Sequence, residues 1–97
     1  MTYRLEFKKS ALKEWEKLGH TLKEQFKKKL KERLENPHVP AAGLSGGQNL
    51  YKIKLRQQGY RLVYSVEDEI VTVTVIAVGK RDRNEVYEIA LSRLNSR

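Results

Sequence analysis

Cysteine is absent from this chain of 97 residues, which excludes disulfides, thiol nucleophiles and thiolate metal sites and suits a reducing compartment. Histidine is scarce: there are two, and neither lies among Asp or Glu at metal-ligand spacing, so no metal or other cofactor is expected. No stretch approaches the roughly 20 apolar residues that cross a bilayer, and residues 1–7 lack the apolar run of a signal peptide. These absences predict a cytoplasmic, unexported protein with no membrane partner. Acids are few as well, with 12 Asp and Glu against 20 Lys and Arg, a net charge of +8. No carboxylate occurs anywhere from residue 36 to residue 66. A balance so basic bears on partners more than on fold, and points to nucleic acid, the ribosome or an acidic protein.

What is present is concentrated in residues 50–64, where apolar and basic side chains alternate with period two, turn near Gln58-Gly59 and alternate again. Successive residues of a strand point to opposite faces, so Tyr51, Ile53 and Leu55 share one face and Lys52, Lys54 and Arg56 the other. A two-residue turn at Gln58-Gly59 pairs Leu55 with Leu62, Ile53 with Tyr64 and Arg56 with Arg61. A three-residue loop would instead expose Leu62 beside the lysines. The expected hairpin has one apolar face and one face of converging cations, for which a ligand bearing phosphates is the natural complement.

Around that hairpin the pattern predicts a single domain over residues 1–97. Residues 2–7 alternate as a short strand with Tyr3, Leu5 and Phe7 on one side. Ser10 is a candidate cap for a helix carrying Leu12, Trp15 and Leu18, with Gly19 placed to end it. Thr21 and Glu24 have capping-box spacing, and Leu22, Phe26, Leu30 and Leu34 form one stripe of a second helix stopped at Asn36-Pro37. Joined by Gly19-His20 alone, the two helices should lay that stripe on a sheet. A loop rich in Pro, Gly and Ala spans 37–49, Glu67-Asp68-Glu69 reads as a turn, and 70–78 reads as a central strand of undecided parity. Asn84 or Asp82 can cap a last helix through about residue 94, with Val86, Ile89, Ala90 and Leu94 packed. The fold class is α+β, in the order β-α-α-β-β-β-α, with a mostly antiparallel four-stranded sheet packed against a helical hairpin and a C-terminal helix.

Chemistry has few places to sit. His20 and His38 read as surface residues, and Glu24 with Lys28 as an i,i+4 pair. Gly46-Gly47 lacks the pattern of a nucleotide loop. Lys52, Lys54, Arg56 and Arg61, with Arg81 from the end of the last strand, could surround one phosphate. RNA can be cut without metal by its own 2′-hydroxyl, given a base, cations for the phosphorane and a proton for the leaving oxygen. A lysine among cations has its pKa lowered and can act as the base, while arginines suit phosphate oxygens. Tyr87 could stack on a base beside those cations. The plainer reading of the same residues is a solvated face, or a binding patch without chemistry.

Residues 11–15 (Ala-Leu-Lys-Glu-Trp) with Lys17-Leu18-Gly19, then 51–56, 59–64, Val78-Gly79-Lys80-Arg81 and Glu85-Val86-Tyr87 together resemble the RelE toxins of bacterial toxin–antitoxin modules. The resemblance covers nearly the whole chain. It implies an endoribonuclease that enters the ribosomal A site and cuts mRNA, leaving a 2′,3′-cyclic phosphate and a 5′-hydroxyl. By position it implies Lys54 as general base, Lys52 and Arg61 on the phosphate, Arg81 at the leaving oxygen and Tyr87 on a codon base. Relatives can carry an arginine in the 44–46 stretch where this chain has Ser45, and Arg56 is the candidate substitute. The resemblance also implies a RelB-like antitoxin whose acidic segment covers the basic face. It further implies 16S rRNA contacts for Lys27, Lys28, Lys29 and Lys31 of the second helix. Two other readings stand beside it: a ParE-like toxin acting on gyrase by protein contact, and a basic RNA-binding module.

Overall fold

Residues 2–44, 49–80 and 85–95 are described by a computed structural model. The chain runs β1 (Arg4–Phe7), α1 (Lys9–Glu16), α2 (His20–Glu35), β2 (Leu50–Leu55), β3 (Tyr60–Glu67), β4 (Thr72–Lys80) and α3 (Glu85–Asn95). Short 3-10 turns lie at Pro40–Ala42 and Asp68–Ile70. The sheet order is β1-β4-β3-β2, with β1 parallel to β4 and the other two pairings antiparallel. It is thus a mixed, mostly antiparallel sheet of the expected element order. No described helix is long and apolar enough to cross a membrane.

The alternation of the strands creates two cores. On one face Ile53, Leu55, Leu62, Tyr64, Val66, Val73 and Val75 pack with Ala11, Leu18, Phe26 and Leu30 of the helical hairpin. Burial of Phe26 and Leu30 contributes roughly 1.5–3 kcal/mol each. On the other face Leu50, Val63, Ile76 and Ala77 pack with Val86 and Ala90 of α3. Leu22 and Leu34 pack against the first core as expected, though only partly buried; Ile89 and Leu94, expected to pack, are exposed, and so are Leu5 and Leu12. Leu91 joins the second core instead.

The undecided parity of the strand after Asp68 has a physical answer. Val63 pairs with Ala77 but Tyr64 pairs with Val75, so Ile76 is an extra residue in β4. Such a bulge switches the strand's frame. Val73 and Val75 face the helical hairpin, Ile76 and Ala77 face α3, and Val78 returns to the first core.

The hairpin keeps its predicted faces but not its predicted register. Leu55 pairs with Tyr60, Ile53 with Leu62, Tyr51 with Tyr64 and Lys54 with Arg61. The turn takes up residues 56–59, closed by the Gly59 N–H donating to the Leu55 carbonyl at 2.9 Å with Gly59 in the left-handed region at φ 70°. Arg56 therefore sits in the turn and is not opposite Arg61. Cap assignments also change. Lys8 caps α1 and Ser10 lies inside its first turn; Gly19, extended at ψ 162°, caps α2, whose first residue is His20. Neither helix start has a side-chain cap, and Glu24 pairs with Lys27 at 3.7 Å rather than with Lys28. The candidate caps Asp82 and Asn84 lie outside the described residues.

Candidate active site

The site follows from two adjacent rows across the sheet. Lys54 of β2, Arg61 of β3 and Gly79 of β4 are successive partners in one row, and Lys52, Val63 and Ala77 in the next. All belong to the face that α3 covers. Lys54 is exposed, Lys52 half-buried, and Arg61 retains 8% of its surface. The reason lies in α3: the Tyr87 ring centres 4.9 Å from the Arg61 guanidinium carbon and 5.8 Å from Lys52 Nζ. Stacking of cations on an aromatic face is favourable and also orients them. Gly79 permits this approach, because a Cβ there would meet Val86 Cγ2 at 3.2 Å.

Lys54, Leu55, Arg56, Gly59, Tyr60 and Arg61 line a hollow of about 220 Å³. It adjoins a cleft of about 520 Å³ between the hairpin turn and α2, bordered by Lys28, Lys29, Lys54 and Arg56. Arg56 thus remains at the cation site from its place in the turn. The lysines of α2 divide. Lys28 and Lys29 border that cleft, whereas Lys27 and Lys31 flank an apolar hollow with Leu5, Phe7, Trp15, Leu30 and Leu34. Arg81, Ser45 and Gly46-Gly47 lie outside the described residues.

Polar bonds fix the strands from the other face. Arg33 Nη1 of α2 donates to the Lys52 carbonyl at 3.2 Å and to the Tyr64 hydroxyl at 2.9 Å, while that hydroxyl donates to the Pro37 carbonyl at 2.8 Å. Burial raises the Tyr64 pKa, and Arg33 opposes the rise. His38 is not a simple surface residue: its ring bonds the Tyr51 hydroxyl at 2.8 Å and Asp68 Oδ1 at 2.8 Å. Tyr3 also donates to Asp68 Oδ1, at 2.7 Å. The bonds from His38 and Tyr3 hold the Asp68 carboxyl below its ordinary pKa, and the carboxylate raises that of Tyr3. A second cluster joins Glu14 of α1 to Arg93 of α3 through two bonds of 3.0 Å. Sequence reading passed over Arg33, His38, Glu14 and Arg93 as partners. Their contacts span 13 to 79 residues and leave no local period.

The arrangement can hold an anion between amines and guanidiniums, offer one accessible amine to a proton, and present an aromatic ring beside it. Among the described residues, neither histidine reaches that face, since His20 opens α2 and His38 bonds Tyr51 and Asp68.

A family model for the ParE toxin of the type II toxin–antitoxin system parDE matches residues 5–85. The chain is 58% identical over 94 residues to the mRNA interferase toxin RelE of Escherichia coli K12, covering 97% of this chain and 99% of that protein. It is similar to a variant of the E. coli RelE toxin in the free state, with a TM-score of 0.89 at 56% identity, over 97% of this chain and 99% of the other. It is also similar to the toxin of the intact E. coli RelBE toxin–antitoxin complex, with a TM-score of 0.81 at 59% identity, over 84% of this chain and 99% of that one.

Proposed function

We propose that this chain, which belongs to the RelE family of toxins from type II toxin–antitoxin systems, is an endoribonuclease that cuts mRNA in the ribosomal A site. Residues 1–97 act as one toxin domain in the cytoplasm, where its target lies. The observation that carries the reading is the direct pairing of Lys54 with Arg61 across the hairpin, with Lys52 beside them and Tyr87 over the two deeper cations. A surface built only to bind RNA has no need to fix one amine open to solvent beside a guanidinium clamped under a ring.

The reaction is in-line attack of a 2′-oxygen on the adjacent phosphorus. Lys54 Nζ, in its deprotonated form, takes the 2′-hydroxyl proton. Lys52 and Arg61 hold the non-bridging oxygens as negative charge builds on the phosphorane. Arg81, the residue after β4, gives a proton to the departing 5′-oxygen, and Tyr87 stacks on a codon base. The P–O5′ bond breaks, leaving a 2′,3′-cyclic phosphate and a 5′-hydroxyl. Arg56, bordering the same hollow, adds charge where relatives can use an arginine at the Ser45 stretch.

Such a site has no histidine base, so it depends on geometry supplied from outside. The ribosome holds the mRNA in line, and positioning of that kind can lower a barrier by several kcal/mol, up to about 7–11. The cleft of Lys28 and Lys29 supports a contact with 16S rRNA continuous with the active hollow. A RelB-like antitoxin with an acidic segment neutralises the chain by covering this face.

The experiment is to add the purified protein to ribosomes programmed with a defined A-site codon and to map the mRNA ends. Cleavage within that codon, strongly reduced by Lys54→Ala, is the expected result. Intact mRNA with inhibited DNA supercoiling would place the chain with toxins that act on gyrase. RNA binding without new ends would reduce the face to an affinity patch.

A further inference from the structure

We infer that Glu14 and Arg93 form a latch that sets how α3 lies on the sheet, and so act as positioning residues for the RNA-cleaving site; this rests on the activity proposed above. The latch begins at the β4 bulge. The extra residue Ile76 breaks the register with β3, and β1 ends opposite Val75, so β4 beyond Val75 has no β1 partner along its other edge. Buried backbone groups without partners are costly, and here the side chains supply the partners. Arg93 Nη1 donates to the Ile76 carbonyl at 2.7 Å, and the Val78 N–H donates to Glu14 Oε1 at 3.1 Å. Guanidinium and carboxylate then close on each other, Nη1 to Oε1 and Nη2 to Oε2, both at 3.0 Å. One two-pronged pair therefore serves both of these backbone groups of β4 and ties α1, β4 and α3 at a single point. The side chains are 23% and 29% exposed, so water screens the pair only in part.

Helix geometry carries this to the site. At roughly 100° per residue, Arg93 and Tyr87 lie about 120° apart around α3. They border opposite sides of the buried strip formed by Val86 and Ala90. Apolar packing of that strip sets the helix's distance from the sheet but tolerates rolling, whereas a bidentate pair at one border does not. A hollow of about 160 Å³ bounded by Glu14, Gly79, Val86 and Ile89 leaves α3 room to roll. A roll about the Val86–Ala90 strip shifts the Tyr87 ring from its seat over Arg61 and Lys52, at 4.9 and 5.8 Å.

The test is a double-mutant cycle with Arg93→Ala, Tyr87→Ala and both together in the programmed-ribosome assay, alongside backbone hydrogen exchange of each free protein. Arg93→Ala should lower the maximal cleavage rate on the order of 10- to 100-fold and leave the half-saturating ribosome concentration unchanged. Arg93→Lys should recover only part of the rate, because lysine cannot make the two-pronged contact. Added to Tyr87→Ala, the Arg93→Ala change should cost little further. The α3 amides should exchange about tenfold faster in Arg93→Ala while those of β3 keep their protection. A wild-type rate in Arg93→Ala, or full additivity with Tyr87→Ala, overturns the inference. If Arg93→Ala also strips protection from β3, Glu14→Gln, which keeps the shape and removes the charge, carries the same expectations. Wild-type protein that cuts no mRNA refutes the activity alone; α3 exchange unchanged in Arg93→Ala refutes the latch.

Discussion

Lys54 and Arg61 face each other across the hairpin but differ in depth, and the difference separates their expected phenotypes. Lys54 is exposed, so its side chain contributes little to packing. Lys54→Ala should lower cleavage about 10²- to 10⁴-fold, the usual value of a positioned acid or base, yet shift unfolding by no more than about 0.5 kcal/mol. A-site cleavage rates and thermal melts of the same samples check this. Arg61 retains 8% exposure beneath Tyr87. Arg61→Ala should therefore lose activity and also about 1–3 kcal/mol of stability, read from urea midpoints. The face of each cation was legible, because period two assigns faces without knowing partners. Depth was not. It is set by Tyr87, which joins the site through the packing of a helix that follows three strands.

Among elements, the residue ahead of β1, the loop before β2 and the turn after β3 meet at Asp68, which accepts from Tyr3 at 2.7 Å and bonds His38 at 2.8 Å. Its carboxyl pKa is lowered from 3.8 by those two bonds. A lowered acid contributes stability above its ordinary pKa and loses it as pH falls through the lowered value. Asp68→Asn should accordingly melt below wild type at pH 7, and the two melting curves should converge as pH drops below 3.8. Gly79→Ala tests how α3 is seated: its Cβ would lie 3.2 Å from Val86 Cγ2, so Val86 must give by a few tenths of an ångström. That variant should lose cleavage rate several-fold while ribosome binding holds, measured as maximal rate and half-saturation.

The hairpin and the α2 stripe were readable because each repeats its own period. Register, caps and strand parity were not, for separate reasons. The turn spends four residues, 56–59, where Gln58-Gly59 alone looked sufficient. Ser10 and Thr21 had cap chemistry, but the helices begin ahead of them at Lys9 and His20. No single parity could describe β4, since Ile76 divides it into two frames. Its compensation, the Glu14–Arg93 pair, joins residues 79 apart.

On the scale of the whole molecule, a net charge of +8 makes association with RNA depend on salt. Lys28→Ala and Lys29→Ala should each weaken ribosome binding and reduce the slope of log affinity against log salt by about 1, without changing the maximal cleavage rate. Lys27→Ala and Lys31→Ala, beside the apolar hollow, should change the slope less. Filter binding across a salt series reads both.

The parallel pairing of β1 with β4 joins residue 4 to residue 72 and residue 7 to residue 75. A chain emerging from its N-terminus makes β1 first and must hold it without a sheet partner until β4 has followed. The helix bearing Tyr87 and Arg93 comes later still. A nascent copy therefore has neither a finished sheet nor a covered site until β4 and α3 have both been made. The order of strands thus postpones assembly of the toxin's site until a segment far along the chain has closed the sheet.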